Sequence, residues 1–180
     1  NGLTRVYDAM AMDYLYADVN NIMIMLGNHD MDRIADVVKD QDPRRVKLAN
    51  VLLATMRGIP QVFYGDEYGM KSADRSLGHS TLRMPLPLGE QVTPEQKEMF
   101  DFQSRLFQWR KGEKVIHTGK TMHFMSRDNT YAYFRYNDTE AVFVFANASE
   151  DSRTIPTAHY AEILSLYNPV GVDILTGETV

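Results

Sequence analysis

The sequence contains no cysteine. Disulfides, thiolate metal sites and cysteine nucleophiles are therefore excluded together. The compartment stays open, because an exported protein can also lack cysteine. No run approaches the ~18 consecutive apolar residues of a membrane span, so no membrane partner is expected. Positive charge is scarce as well: 19 Lys and Arg stand against 24 Asp and Glu, for a net charge of −5 with the two signs interspersed. No basic patch exists to neutralise phosphates, which argues against a nucleic-acid partner. There is no internal repeat and no low-complexity segment. What remains is an ordinary globular composition, 44% apolar over 180 residues. That suits one domain, or one and a fraction, with a sizeable core. The chain opens Asn1-Gly2-Leu3-Thr4, without an initiator Met or a signal peptide, and closes on a turn that reads as entering another strand. Both ends suggest a processed chain or a piece of a longer one.

The pattern changes character near Gly112. Before it, helical periods alternate with short apolar runs. Leu3, Tyr7, Met10 and Tyr14 predict a helix over 3–17. Residues 21–26 form an apolar run suited to a strand covered on both faces, as in a parallel sheet. Asp42 and Pro43 open a second helix and Gly58 ends it, with Val46, Ala49, Leu53 and Met56 on one stripe. A second short strand is expected at 61–64. A long loop, 66–92, follows; loops of that length are often functional. Thr93, Pro94 and Gln96 then write a capping box, and Met99, Phe102, Leu106 and Trp109 an apolar stripe, before Gly112. This order is that of β/α units around a parallel sheet or barrel.

After Gly112 the pattern alternates with period two. A strand pair is expected over 117–126 with Gly119-Lys120 near its turn, and a hairpin from 130–136 to 141–147 across Asn137-Asp138. A further strand is expected at 172–175. The predicted fold class is thus α/β plus all-β, the second part a small antiparallel β-sandwich.

Asn28-His29-Asp30 follows the first apolar run. In a β/α barrel, side chains just past the C-terminal ends of strands line the active site. The 66–92 loop follows the second strand and should cover the same mouth. Blander readings stand beside this one. An Asp before a helix is often only its N-cap, and a lone His is often structural. Arg33 reads equally as a substrate contact or as half of a salt bridge. Asp66 and Glu67 read as closing the second strand. The aromatics Tyr131, Tyr133 and Phe134 read as a core-packing strand, with a sugar-stacking face as the alternative.

The wider context favours the functional reading of the motif. Asn28-His29-Asp30-Met31-Asp32-Arg33, followed by Arg57-Gly58-Ile59-Pro60-Gln61-Val62-Phe63-Tyr64-Gly65-Asp66-Glu67, closely resembles the alpha-amylase family of glycoside hydrolases. Residues 18–26, 100–110, 115–119 and 131–136 look like its neopullulanase and cyclomaltodextrinase branch. The resemblance implies that residues 1–112 are the C-terminal portion of a (β/α)8 TIM barrel, carrying strands seven and eight. It implies that 113–180 are the β domain that follows.

It also implies roles. Asp30 matches the family carboxylate that binds sugar hydroxyls and stabilises the oxocarbenium-like transition state. His29 matches a histidine on the same sugar; Asn28 and Arg33 join it as substrate-binding candidates. The nucleophile and the general acid/base would lie upstream of Asn1, so the chain alone should be inactive. The partner implied is an alpha-glucan oligosaccharide: a cyclodextrin, pullulan or a maltooligosaccharide. No cofactor is implied; calcium stays open for a longer protein, and no ligand set for it is visible here. A transglycosylase and a non-catalytic carbohydrate-binding module are the alternatives. Self-association through the incomplete barrel is expected, and a periplasmic or secreted location follows from the resemblance alone. One stretch departs from the family. Where relatives often carry Arg-x-Asp-Phe-Pro-Gly-Gly-Trp, this chain has Arg83-Met84-Pro85-Leu86-Pro87-Leu88-Gly89-Glu90.

Overall fold

The computed structural model describes residues 2–167 and 170–180. In chain order the longer elements are α1 (Gly2–Ala11), β1 (Met23–Met25), α2 (Ile34–Val37), α3 (Pro43–Thr55), β2 (Ile59–Gln61), α4 (Pro94–Gly112), α5 (Lys114–Thr118), β3 (Lys120–His123), β4 (Thr130–Tyr136), β5 (Ala141–Asn147) and α6 (Ala161–Leu164). Two compact units form: Asn21–Lys111, and Asn1–Asn20 with Gly112–Val180.

In the first unit β1 and β2 pair in parallel, Met23 opposite Ile59 and Met25 opposite Gln61. The second strand therefore lies at 59–61 and not at 61–64 as its apolar residues suggested. Its position is set where the Ile59 amide donates to the Ile22 carbonyl at 2.8 Å. Gly58 makes that approach possible. Its φ is +102°, and a Cβ there would sit 2.5 Å from the Ile22 carbonyl oxygen. Only glycine tolerates both conditions cheaply.

Helix α3 begins as its sequence dictates. Asp42 accepts the Arg44 amide at 2.8 Å and Pro43 occupies the first turn. Helix α4 starts from a reciprocal capping box. The Thr93 hydroxyl accepts the Gln96 amide at 3.3 Å, and the Gln96 side chain accepts the Thr93 amide at 3.0 Å. Its buried stripe differs from the expected one. Met99, Gln103, Leu106 and Arg110 are buried, in place of Met99, Phe102, Leu106 and Trp109. The two polar members are there because α3 supplies their partners. Gln103 donates to the Asn50 side chain at 2.6 Å. Arg110 donates to the carbonyls of Ala54 at 2.5 Å, Met56 at 3.3 Å and Gly58 at 2.7 Å. These are carbonyls at and just beyond the end of α3, where a helix leaves acceptors without intrahelical donors.

In the second unit β3, β4 and β5 form one antiparallel sheet, β4 central. Among the described residues of this unit there is no second sheet, so the expected sandwich gives way to a sheet covered by helices. On one face, Ala132 and Phe134 pack with Tyr160 and Ile163, the latter from α6. On the other, Arg135 donates to the Ile116 carbonyl of α5 at 2.9 Å, and Tyr7 of α1 lies 5.1 Å from the His123 ring. Both faces being covered, Tyr131, Tyr133 and Phe134 are at most 1% exposed. A sugar-stacking role for this strand is therefore excluded.

Three further expectations are corrected. The helix expected over 3–17 ends at Ala11 and continues as a 3-10 turn, Asp13–Leu15. Tyr14, counted in its stripe, is exposed. The strand pair over 117–126 is instead helix α5 followed by the single strand β3. Val115 and Ile116 anchor the helix in the core. Gly119 lets the turn pass where a Cβ would meet the Val115 carbonyl oxygen at 2.3 Å and that of Tyr136 at 2.9 Å. The strand at 172–175 is only a bridge, Val172 to Thr179, around a turn in which the Asp173 amide donates to the Glu178 carbonyl at 2.8 Å. The β4–β5 hairpin forms where Asn137-Asp138 placed it. The Asn137 side chain accepts the amides of Thr139 and Glu140 at 2.9 and 3.0 Å.

Candidate functional site

The chain leaves β1 at Met25 and turns within a few residues. The Asn28 side-chain oxygen accepts the Asp30 amide at 2.8 Å, and its carbonyl accepts the Met31 amide at 3.3 Å. Asn28 is half-buried, with its amide nitrogen on the Met25 sulfur at 3.5 Å. Its side chain thus helps to shape the turn. The turn throws His29 and Asp30 outward together. His29 Nε2 lies 3.0 Å from Asp30 Oδ2, with the two side chains 60% and 66% exposed. The N-cap reading of Asp30 is excluded, because the residue before α2 is Arg33 and no side chain caps that helix.

Arg33 is fully buried. Its Nη1 donates to Asp66 Oδ1 at 2.8 Å and to the Tyr64 carbonyl at 2.9 Å; its Nη2 donates to the Leu82 carbonyl at 2.7 Å. Its guanidinium carbon lies 4.5 Å from the centre of the Phe63 ring. A side chain sealed in this way cannot meet a ligand. The substrate-contact reading of Arg33 is therefore replaced by the structural one. Asp66 is the buried half of the pair. Burial pushes its carboxyl up to about 6, against the pull of the adjacent Arg33. Gly65 makes room for the guanidinium: its φ is +87°, and a Cβ would lie 2.5 Å from the Met70 sulfur and 3.2 Å from Arg33 Nη1.

The 66–92 segment is less irregular than its composition suggests. It carries 3-10 turns at Asp66–Tyr68, Arg75–Leu82 and Gly89–Gln91. It is also tied to the stretch around α2 at several points. The Ser72 amide donates to Asp36 Oδ2 at 2.9 Å, and Arg75 Nη2 to Asp32 Oδ2 at 2.8 Å. Arg83 Nη2 approaches Asp30 Oδ1 at 3.6 Å. Sequence reasoning did not find these pairings, which join residues more than thirty positions apart. The only signal for them was a length of loop. Beside the same loop an open groove of about 520 Å³ is lined by Met70, Met84, Pro85, Leu86, Pro87 and Gln91, among others; Asn28, His29 and Asp30 take no part in it. Among the described residues no group of three His, Asp or Glu side chains is placed to hold a metal ion. Nor is any helix among them long and apolar enough to cross a membrane.

The antiparallel β unit in the C-terminal part of the chain is where a family model matches. Residues 121–180 match the cyclo-malto-dextrinase C-terminal domain. A cyclomaltodextrinase of Geobacillus thermopakistaniensis is 28% identical over 157 residues, covering 86% of this chain and 24% of its own. A 4-alpha-glucanotransferase of Thermotoga maritima is 26% identical over 147 residues, covering 68% and 33%. Among solved structures, AmyP in complex with maltose shares the fold with a TM-score of 0.78 at 19% identity, covering 98% of this chain and 40% of its own. A cyclomaltodextrinase structure gives 0.61 at 25% identity, covering 71% and 21%. The chain is thus similar to cyclomaltodextrinases and glucanotransferases, and it spans a quarter to a third of the length of the two curated relatives named here.

Proposed function

We propose that this chain is the C-terminal part of a retaining alpha-glucan hydrolase. In this reading residues 1–112 close a (β/α)8 barrel, with β1 and β2 as its seventh and eighth strands, and 113–180 form the domain after it. The observation that carries the reading is the exposed His29–Asp30 pair, 3.0 Å apart, at the C-terminal end of a parallel strand. Both side chains can bond neighbouring hydroxyls of one sugar. As positive charge develops on the ring, bonds from a carboxylate to its hydroxyls strengthen, which can supply several kcal/mol.

Asp30 cannot complete the reaction alone. A retaining mechanism needs a nucleophile and an acid/base carboxyl roughly 5–5.5 Å apart. Nearby acids are not candidates for these roles: Asp66 is buried against Arg33, and Asp32 and Asp36 hold the 66–92 loop. Those two groups are assigned to a longer protein, upstream of residue 1. The substrates in this reading are cyclodextrins, pullulan or maltooligosaccharides; relatives named cyclomaltodextrinase support the first, and pullulan rests on the resemblance alone.

The test is an assay on maltoheptaose and β-cyclodextrin. The 180-residue chain is expected to be silent, and the same chain preceded by the rest of the barrel to be active and to lose activity on Asp30→Asn. Turnover by the chain alone, or an active Asp30→Asn enzyme, would refute the reading. A second reading, transfer to a sugar acceptor, is favoured by relatives named as glucanotransferases. Product analysis separates the two, since transfer yields oligosaccharides longer than the substrate.

The incomplete barrel also supports self-association. Met23 and Ile59, paired across β1 and β2, remain 56% and 53% exposed, and among the described residues no third strand flanks them. Open edges and uncovered apolar side chains are templates for pairing with another copy. Light scattering should detect dimers or larger species; a monomer at high concentration would rule this out. A periplasmic or secreted location belongs to the same reading and rests on family resemblance.

A further inference from the structure

Each oxygen of the Asp30 carboxylate has its own neighbour. Oδ2 lies 3.0 Å from His29 Nε2, the next residue in the chain. Oδ1 lies 3.6 Å from Nη2 of Arg83, which arrives from the far end of the 66–92 loop. We propose that Arg83 is a positioning residue for Asp30: it fixes the rotation of the carboxylate so that Oδ1 meets the sugar in one orientation. This rests on the reading of Asp30 given above.

Three features of the geometry support it. First, Arg83 hangs from a fixed point. Leu82 before it is buried, and its carbonyl is gripped by Arg33 at 2.7 Å. Second, the guanidinium is itself oriented, because its Nη1 donates to the His79 carbonyl at 3.4 Å while Nη2 faces Asp30. Third, the separation of 3.6 Å is too long for a good hydrogen bond. The cation therefore biases the carboxylate by charge and leaves the Oδ1 lone pairs for a sugar hydroxyl. The loop does not need this contact to hold its place, since Arg33–Asp66, Asp36–Ser72 and Arg75–Asp32 already tie it down. An ion pair with both members half exposed adds little to stability. Its value lies in alignment, where small displacements of a reacting group are costly in rate.

The test uses the enzyme with its full barrel. Arg83→Gln is expected to lower kcat on maltoheptaose about tenfold while KM stays within about twofold, because the lost alignment matters most in the transition state. Arg83→Lys keeps the charge and should recover most of kcat. Arg75→Gln breaks a neighbouring tie of the same loop and should leave both constants unchanged. An unaltered kcat in Arg83→Gln overturns the proposal, as does an equal loss in Arg75→Gln, which would assign the effect to loop anchoring. Asp30→Asn separates the two levels. If it stays active, the reading of Asp30 itself fails; if it is inactive and Arg83→Gln is normal, only the positioning role fails. A second readout needs no turnover: in the 180-residue chain, the side-chain carboxyl ¹³C resonance of Asp30 should move on Arg83→Gln and stay on Arg75→Gln. A resonance unmoved by Arg83→Gln overturns the proposal.

Discussion

The guanidinium of Arg33 and the carboxyl of Asp66 meet at 2.8 Å with almost no solvent access to either. Breaking such a pair leaves a buried charge without compensation. Asp66→Ala should therefore cost about 3–5 kcal/mol of unfolding free energy, read from urea denaturation. The double change Arg33→Met with Asp66→Leu should recover much of that loss, because an apolar pair of similar size carries no desolvation penalty. A double variant no better than Asp66→Ala would assign the cost to the carbonyls of Tyr64 and Leu82.

The same carboxyl sets a pH dependence. Its value rises from 3.8 to about 6 on folding, chiefly through burial. Between these values the folded chain holds a proton that the unfolded chain releases. The contribution of this group to stability is therefore complete below about pH 4 and is lost as pH rises through about 6. In Asp66→Asn that slope should vanish. Urea midpoints across this range, compared between the two proteins, give the check.

Arg110 should matter more than its position near a helix end suggests. It serves three carbonyls at and beyond the end of α3. Arg110→Leu leaves buried acceptors unserved and should destabilise by about 2–3 kcal/mol. Amide exchange should accelerate first in the last turn of α3. Uniform exchange through α3 and α4 would contradict a local capping role.

Gly58→Ala should cost about 1–3 kcal/mol through its left-handed backbone alone, and more if the β1–β2 pairing must open to admit the methyl group. The Ile59 amide, bonded to the Ile22 carbonyl at 2.8 Å, should lose exchange protection. An unchanged Ile59 amide would place the strain elsewhere.

Asp30→Ala should leave stability within about 0.5 kcal/mol, since its charged neighbours His29 and Arg83 are exposed as it is and such pairs contribute little. A thermal shift as large as that of Asp66→Ala would mean that Asp30 supports the fold.

The contrast between these residues shows what the sequence could reveal. Asp42, Thr93 and Asn137 bond amides two or three positions away, so their roles are readable from neighbours alone. The turn at Asn28-His29-Asp30 was legible for a similar reason, since a polar turn after an apolar strand needs no distant partner to be recognised; a role in sugar binding was suggested only by the resemblance. Gln103 and Arg110 were not. A helix stripe is expected to be apolar, and only the opposing α3 supplies the acceptors that let them sit inside. Arg33 stayed ambiguous because its partners Asp66 and Leu82 lie in a loop whose path the sequence leaves open. Arg83 was noticed only as part of a divergent stretch, since its approach to Asp30 depends on that same path. Helix α5 went unseen because the glycine that ends it, Gly119, reads equally as a hairpin turn until the Val115 and Tyr136 carbonyls close on it.

Arg33 has one consequence for variation among related chains. By holding Asp66 where the loop departs and Leu82 where it returns, one side chain ties the excursion shut like a drawstring. Residues between these points can be lengthened, shortened or replaced while the purse keeps the same neck. Arg83, stitched just outside that neck, stays beside Asp30 as long as the pouch keeps the His79 carbonyl that orients its guanidinium. A lineage can then remodel the loop beside His29 and Asp30 without losing the register of the groups beneath.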